Sequence, residues 1–136
     1  MSTRAVYTFK DEYDNTHHVY KHHDGYPSGA VEFILKALDK SWKLPRFEAS
    51  EFAAAFVAAN KDEGGGVYFS NGPEDHGDLS YKYEVTAKDD VLQVKVFKKT
   101  YPGKDYRLVD EGPAGSLWNK YLNKESVAWT DLPETY

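Results

Sequence analysis

Leu79, Tyr81, Tyr83 and Val85 alternate with Ser80, Lys82, Glu84 and Thr86; after Lys88-Asp89-Asp90, Leu92, Val94 and Val96 alternate with Gln93, Lys95 and Phe97. Successive side chains of a strand point to opposite faces, so this period of two writes an apolar and a charged face onto two adjacent strands. A fully buried parallel sheet shows continuous apolar runs instead. The pattern predicts an antiparallel hairpin in a sheet with one solvated side.

The remaining segments supply the cover. Arg4 to Lys10 and Thr16 to His22 are rich in strand formers and flank the turn residues Asp11-Glu12-Tyr13-Asp14-Asn15, which predicts a β-hairpin. Asp24 to Gly29 then breaks the strand, with Gly25 expected at positive φ and Pro27 preset for the first turn of a helix. Val31, Ile34, Leu35 and Leu38 repeat at i, i+3, i+4, i+7 and predict an amphipathic helix over Pro27 to Ser41. Ala49, Phe52, Ala53, Phe56 and Val57 predict a second over Glu48 to Lys61.

Asp62-Glu63-Gly64-Gly65-Gly66 reads as a connection, Val67 to Ser70 as a strand and Asn71 to Asp78 as an exposed loop. Tyr106 to Val109 is expected to be a last strand, and Ser116 the N-cap of a short helix carrying Leu117, Trp118, Tyr121 and Leu122. Strands and helices in this order point to the α+β class. The expectation is a single domain over residues 1–136, with an antiparallel sheet of about five or six strands and two amphipathic helices packed on one face.

Composition bounds the chemistry. The chain has 136 residues, 40% of them hydrophobic, which suits one folded domain. It has no Cys, which excludes disulfides, thiol catalysis and iron–sulfur clusters and favours a reducing, cytoplasmic setting. Neither a signal-peptide pattern nor a membrane-length apolar run occurs, so a soluble, unprocessed chain is expected. A net charge of −5 supplies no general attraction to phosphate backbones, so nucleic acid is not an expected partner.

Four of five histidines, His17, His18, His22 and His23, precede Asp24 in one stretch. His18 and His22 fall on one strand face but lie four residues apart, about 13 Å at the rise of a strand, too far to chelate one ion as a pair. A metal site would need His22 or His23 with Asp24 and help from His76; three such ligands would suit a catalytic zinc or a facial-triad iron site. The structural reading places Tyr20 and His22 on a sheet face, Asp24 on backbone amides at the turn or helix start, and Gly25 at the special φ. It accounts for most of the stretch without a ligand, so no metal and no cofactor are expected.

Tyr20-Lys21-His22-His23-Asp24-Gly25-Tyr26-Pro27 resembles a Tyr-x-His-x-Asp-Gly-Tyr-Pro element of small uncharacterised bacterial and phage or prophage proteins. There too the element follows a first hairpin and opens an amphipathic helix, so the resemblance covers roughly residues 4 to 40. It implies a fold placement and a mobile-element origin, but no activity, substrate or cofactor.

Other signals carry less. Gly64 to Gly66 leads from a helix into a strand, the reverse of a phosphate loop. Asp75, His76 and Asp78 sit on a loop that needs polar residues for solvation alone, and no serine has the context of an activated nucleophile. Eleven Tyr and three Trp provide contact area for the core and for interfaces. Lys82, Lys95, Lys98 and Lys99, with Phe97, are expected to share part of one hairpin as a local basic patch or a solvated face.

Two functions of different class follow. The first is a non-catalytic binding or regulatory module that engages a protein partner or a second copy, with Tyr20, His22, His23, Asp24, Tyr26 and His76 as candidate binding residues. The second is a metal-dependent hydrolase using the His/Asp cluster at 17–24. Val67 to Ser70, which carries no charge, is the candidate exposed edge for self-association.

Overall fold

The computed structural model describes residues 3–61, 66–73, 79–100 and 105–122. In chain order the elements are β1 (Ala5–Lys10), β2 (Thr16–Lys21), α1 (Pro27–Lys40), α2 (Ala49–Asn60), β3 (Val67–Ser70), β4 (Tyr81–Lys88), β5 (Val91–Lys99), β6 (Tyr106–Pro113) and α3 (Ala114–Leu122). The class is α+β, with three helices and one six-stranded sheet in the order β3-β2-β1-β4-β5-β6.

The sheet is mixed, which corrects the expectation of a purely antiparallel one. β1 runs parallel to β4, with Tyr7 opposite Tyr83 and Phe9 opposite Val85, while every other neighbouring pair is antiparallel. After β3 pairs back onto β2, the chain enters β4 on the far side of β1, and β3 and β4 both run in the direction of β1. The signal for this lies in β1 itself, where Ala5, Val6, Tyr7, Thr8 and Phe9 are all buried. A strand covered on both faces is what a parallel pairing in mid-sheet produces.

One large cluster unites alternate strand residues with helix residues. Tyr7 stacks on Tyr83 at 5.1 Å and meets Phe56 of α2 at 4.6 Å, and Phe9 lies 5.4 Å from both Phe52 and Phe56. Ile34 and Leu35 of α1, and Ala114 and Leu117 of α3, belong to the same cluster. Buried Asn60 donates from Nδ2 to the carbonyls of Phe33 and Phe56, joining the end of α2 to α1. Lys21 of β2 also points to this side and is only 1% exposed; its ammonium lies 3.8 Å over the Phe33 ring and donates to the His23 carbonyl.

Element ends depart from the sequence reading by small, explicable amounts. α3 begins at Ala114, directly after Pro113, so Ser116 lies inside the first turn rather than at the N-cap. β6 extends to Pro113, beyond the expected Val109, because β5 is long enough to pair with it across a bulge at Val96 and Phe97. The expected connection at 62–65 and most of the polar loop, 74–78, lie outside the described residues. Gly72, from the start of that loop, is buried rather than exposed.

Two aspartates tie the sheet to the helices. Asp110 of β6 accepts from Lys120 Nζ at 2.7 Å and from the Tyr121 hydroxyl, fastening α3 to the strand before it. Asp11, in the β1–β2 turn, accepts from the backbone N–H of Tyr13 at 2.9 Å and Asn15 at 3.1 Å, and across the fold from Ala49 N–H at 2.8 Å. The N-cap residue of α2, Glu48, makes no side-chain cap of its own, so Asp11 serves as a cap supplied from 38 residues away.

Burial alone would raise the Asp11 carboxyl, but the N–H donors of Ala49, Asn15 and Tyr13 prevail and hold it below its ordinary value of 3.8. A carboxylate with a depressed folded-state pKa stabilises the fold fully above its ordinary value and loses that contribution as pH falls through the folded-state value. Asp11→Ala is therefore expected to cost about 1 kcal/mol, the usual worth of an N-cap. Thermal melts of wild type and variant should differ at neutral pH and converge on acidification below about pH 4; an offset that persists in acid would show that the carboxylate is not the source.

Candidate functional site

The end of β2 and the turn after it hold most of the residues singled out by sequence. Register places Tyr20 opposite Val6 and His18 opposite Thr8, on the face away from the large cluster, where Val6, Tyr20 and Leu79 form a second small buried group. His18 Nδ1 lies 2.8 Å from Thr8 Oγ1. His17 projects to the opposite face, paired with Phe9, so the four histidines do not share one surface.

His22 is the junction of this region. Arg4 Nε donates to His22 Nδ1 at 3.2 Å, and the Tyr20 hydroxyl lies 2.8 Å from the same nitrogen. Because a guanidinium N–H only donates, Nδ1 acts as the acceptor for Arg4. The backbone N–H of His22 donates to the Gly66 carbonyl at 2.8 Å, which closes the top of the β2–β3 ladder. His23 meets the His22 ring edge to face at 4.6 Å and is exposed.

Asp24 and Tyr26 form a separate pair, with the Tyr26 hydroxyl donating to Asp24 Oδ1 at 3.2 Å. The Asp24 charge, followed by burial and that hydrogen bond, holds the Tyr26 phenol above its ordinary value. Asp24 makes no cap hydrogen bond to α1, contrary to the expected amide contacts at the helix start; Tyr26 occupies the N-cap position. His76 lies outside the described residues. The structure thus unites Tyr20 with His22, sets His23 beside them and leaves Asp24 and Tyr26 apart. Among the described residues, no three His, Asp or Glu side chains are grouped so as to hold a metal ion.

The turn departs from expectation in a second way. Asp24, not Gly25, takes the positive φ, at 58°, a conformation that Asp tolerates better than most residues. Gly25 is required by contact instead. A Cβ there would lie 2.7 Å from Ala5 Cβ and 2.9 Å from the Thr3 carbonyl, and one at Gly29 would lie 2.2 Å from the Asp24 carbonyl. Gly25 N–H donates to the Thr3 carbonyl, and its own carbonyl accepts from the buried Tyr83 hydroxyl.

Arg4 and Thr8 were not singled out by sequence, where their only signal was parity on β1, which names no partner. Leu79, expected on the apolar face of Tyr81, Tyr83 and Val85, lies before β4 and packs with Val6 and Tyr20 instead. A cleft of about 150 Å³ opens beside Thr8, lined also by Lys10, His18, Lys82, Glu84 and Phe97 among others. The lysines weighed as a basic patch or a solvated face are divided between the two faces. Lys82 lies 4.4 Å over the Tyr106 ring and 5.8 Å from Phe97, whereas Lys98 lies over Tyr81 on the other side. Lys95 stands opposite Glu84 in the register, and Glu84 forms an ion pair with Lys10 at 3.5 Å.

At the edge of the sheet, β3 exposes Tyr68 at 44% and Phe69 at 55%. Tyr68 leans on Tyr20 at 5.1 Å, which connects the edge to the His22 region. Comparison with family models, with curated proteins and with solved structures returns no match.

Gly25→Ala is expected to destabilise the protein by about 1–3 kcal/mol, through overpacking against Ala5 and the Thr3 carbonyl rather than through backbone strain. Denaturant unfolding measures this directly. The double variant Gly25→Ala/Ala5→Gly, which removes the closest clashing methyl, should recover part of the loss; equal destabilisation with and without Ala5→Gly would refute the contact explanation.

Proposed function

We propose that the chain is a non-catalytic binding module whose recognition surface is the β3 edge, which no further described strand pairs, together with the adjoining Tyr20–His22 face. In this reading the helices pack on one face of the sheet and leave the other for contact. The observation that carries it is the β3 edge: an uncharged strand with two adjacent exposed aromatic residues. Edge strands ordinarily carry charges, prolines or bulges that prevent pairing, and a strand without them is suited to receiving another.

The partner in this reading is a protein strand, from another protein or from a second copy. His22, Tyr20 and Arg4 hold one another and the strand end in place and do not perform chemistry. The cytoplasmic setting favoured by the lack of Cys is kept. The resemblance of Tyr20 to Pro27 to a phage and prophage element adds a mobile-element origin to the proposal and no activity.

The competing outcome is the metal-dependent hydrolase built on the His/Asp cluster. Untagged protein is expected to contain no stoichiometric transition metal, to melt at the same temperature with and without a chelator, and to leave chromogenic ester and phosphate substrates intact. Zinc, iron or manganese near one per chain, lost together with hydrolysis in His22→Ala, would overturn the binding-module reading.

A further inference from the structure

The backbone of β3 specifies which of its groups face outward. His22 N–H bonds to the Gly66 carbonyl, and His22 and Gly66 stand opposite each other when the Lys21–Val67 register is continued by one residue. Hydrogen-bonded and non-bonded pairs alternate along an antiparallel ladder, so Tyr20–Tyr68 and His18–Ser70 are bonded pairs. Val67 and Phe69 therefore turn their N–H and C=O groups away from β2. The Val67 carbonyl accepts from Lys61 Nζ, which covers that end of the edge. Among the described residues no hydrogen bond reaches the N–H or C=O of Phe69.

One outward donor and one outward acceptor on the same residue is a self-complementary arrangement. A twofold axis at Phe69 satisfies both groups of both chains at once, because a bonded antiparallel pair exchanges two hydrogen bonds between directly opposed residues. Resting on the reading of β3 as the recognition edge, we propose that its occupant is a second copy of this chain, with β3 paired antiparallel to β3 about Phe69.

Three further observations favour a second copy over a foreign strand. β3 carries no charge, so self-pairing brings no like charges together across the strands even though the chain bears a net charge of −5. The register sets Phe69 against the partner's Phe69 on one face and Tyr68 against the partner's Ser70 on the other, so each exposed ring gains a neighbour across the axis. Lys61 limits the open stretch to a short one centred on Phe69, which suits a symmetric pairing better than a long inserted strand. The opposite edge, β6, is guarded in the usual ways, by Arg107, Asp110 and Glu111 and by its bulge against β5.

Sedimentation of the full chain from low to high micromolar concentration tests the proposal, with amide exchange at Phe69 as the local readout. The mass is expected to rise from 15.5 kDa toward twice that value. Over the same range the Phe69 amide should become protected by roughly tenfold or more. Phe69→Pro deletes the outward N–H without removing a bond to β2, and Phe69→Lys sets two ammonium groups opposite each other. Both variants should remain monomeric, and Phe69→Lys should keep the melting temperature of dilute wild type even if proline disturbs the strand.

A monomeric mass throughout overturns the self-pairing and leaves a foreign strand as the occupant of the edge. A dimer whose Phe69 amide exchanges as fast as in the monomer, or one that survives Phe69→Lys, also overturns it by placing the interface elsewhere. None of these results bears on metal content or hydrolysis, so failure of the self-pairing is distinguishable from failure of the binding-module reading.

Discussion

The parallel pairing of β1 with β4 is the constraint on which the arrangement depends. It makes β1 an interior strand, with Tyr7 and Phe9 in the helix-bearing cluster on one side and Val6 against Leu79 and Tyr20 on the other. Because β4 joins on the far side of β1, β3 has β2 as its one neighbour among the described residues and stands at the end of the sheet. The same step carries the chain from β3 back across the sheet, so that Pro73 borders the cleft beside Thr8 and His18 and Leu79 seals the strip next to Tyr20. An exposed aromatic edge and a partly covered polar face are thus consequences of one pairing choice.

The Asp24 to Gly29 turn secures that arrangement at the entry to α1. Positive φ at Asp24 redirects the chain, while the missing side chains at Gly25 and Gly29 let the backbone pass close to Ala5 and to the Asp24 carbonyl. Tyr83, stacked on Tyr7 across the parallel pair, donates its hydroxyl to Gly25, so the turn is held by the strand that defines the topology. Burial raises the Tyr83 phenol well above its ordinary value and keeps that donor proton in place. Several residues of the Tyr20 to Pro27 stretch thus have a conformational role: Asp24 and Gly25 shape a turn, and Pro27 starts a helix.

Much of the candidate region was legible before the structure. Parity alone puts Tyr20 and His22 on one strand face, and the structure adds that they are in contact. The lack of charge in Val67 to Ser70 marked it as an edge, which it is. Arg4 was not legible as the partner of His22, because the two are 18 residues apart and meet only through the hairpin register. Asp11 looked like an ordinary turn residue, since nothing near it in the chain announces that its second oxygen caps a helix starting at Ala49. Nothing in the local sequence marked Lys21 as buried over Phe33.

By itself, the sequence determined the elements and their class, because period two, period 3.6 and the Gly, Pro and Asp punctuation act within a few residues of chain. It also determined which side of β4 and of β5 is apolar. Only the tertiary structure decided strand order, the direction of β4 relative to β1, which glycine was needed for space rather than for φ, and which face each of the hairpin lysines occupies. These depend on contacts between residues far apart in sequence, where several strand orders satisfy the same alternation. The choice among them rests on packing: Tyr7 between Tyr83 and Phe56 in the core, and Leu79 folded back over Val6 and Tyr20.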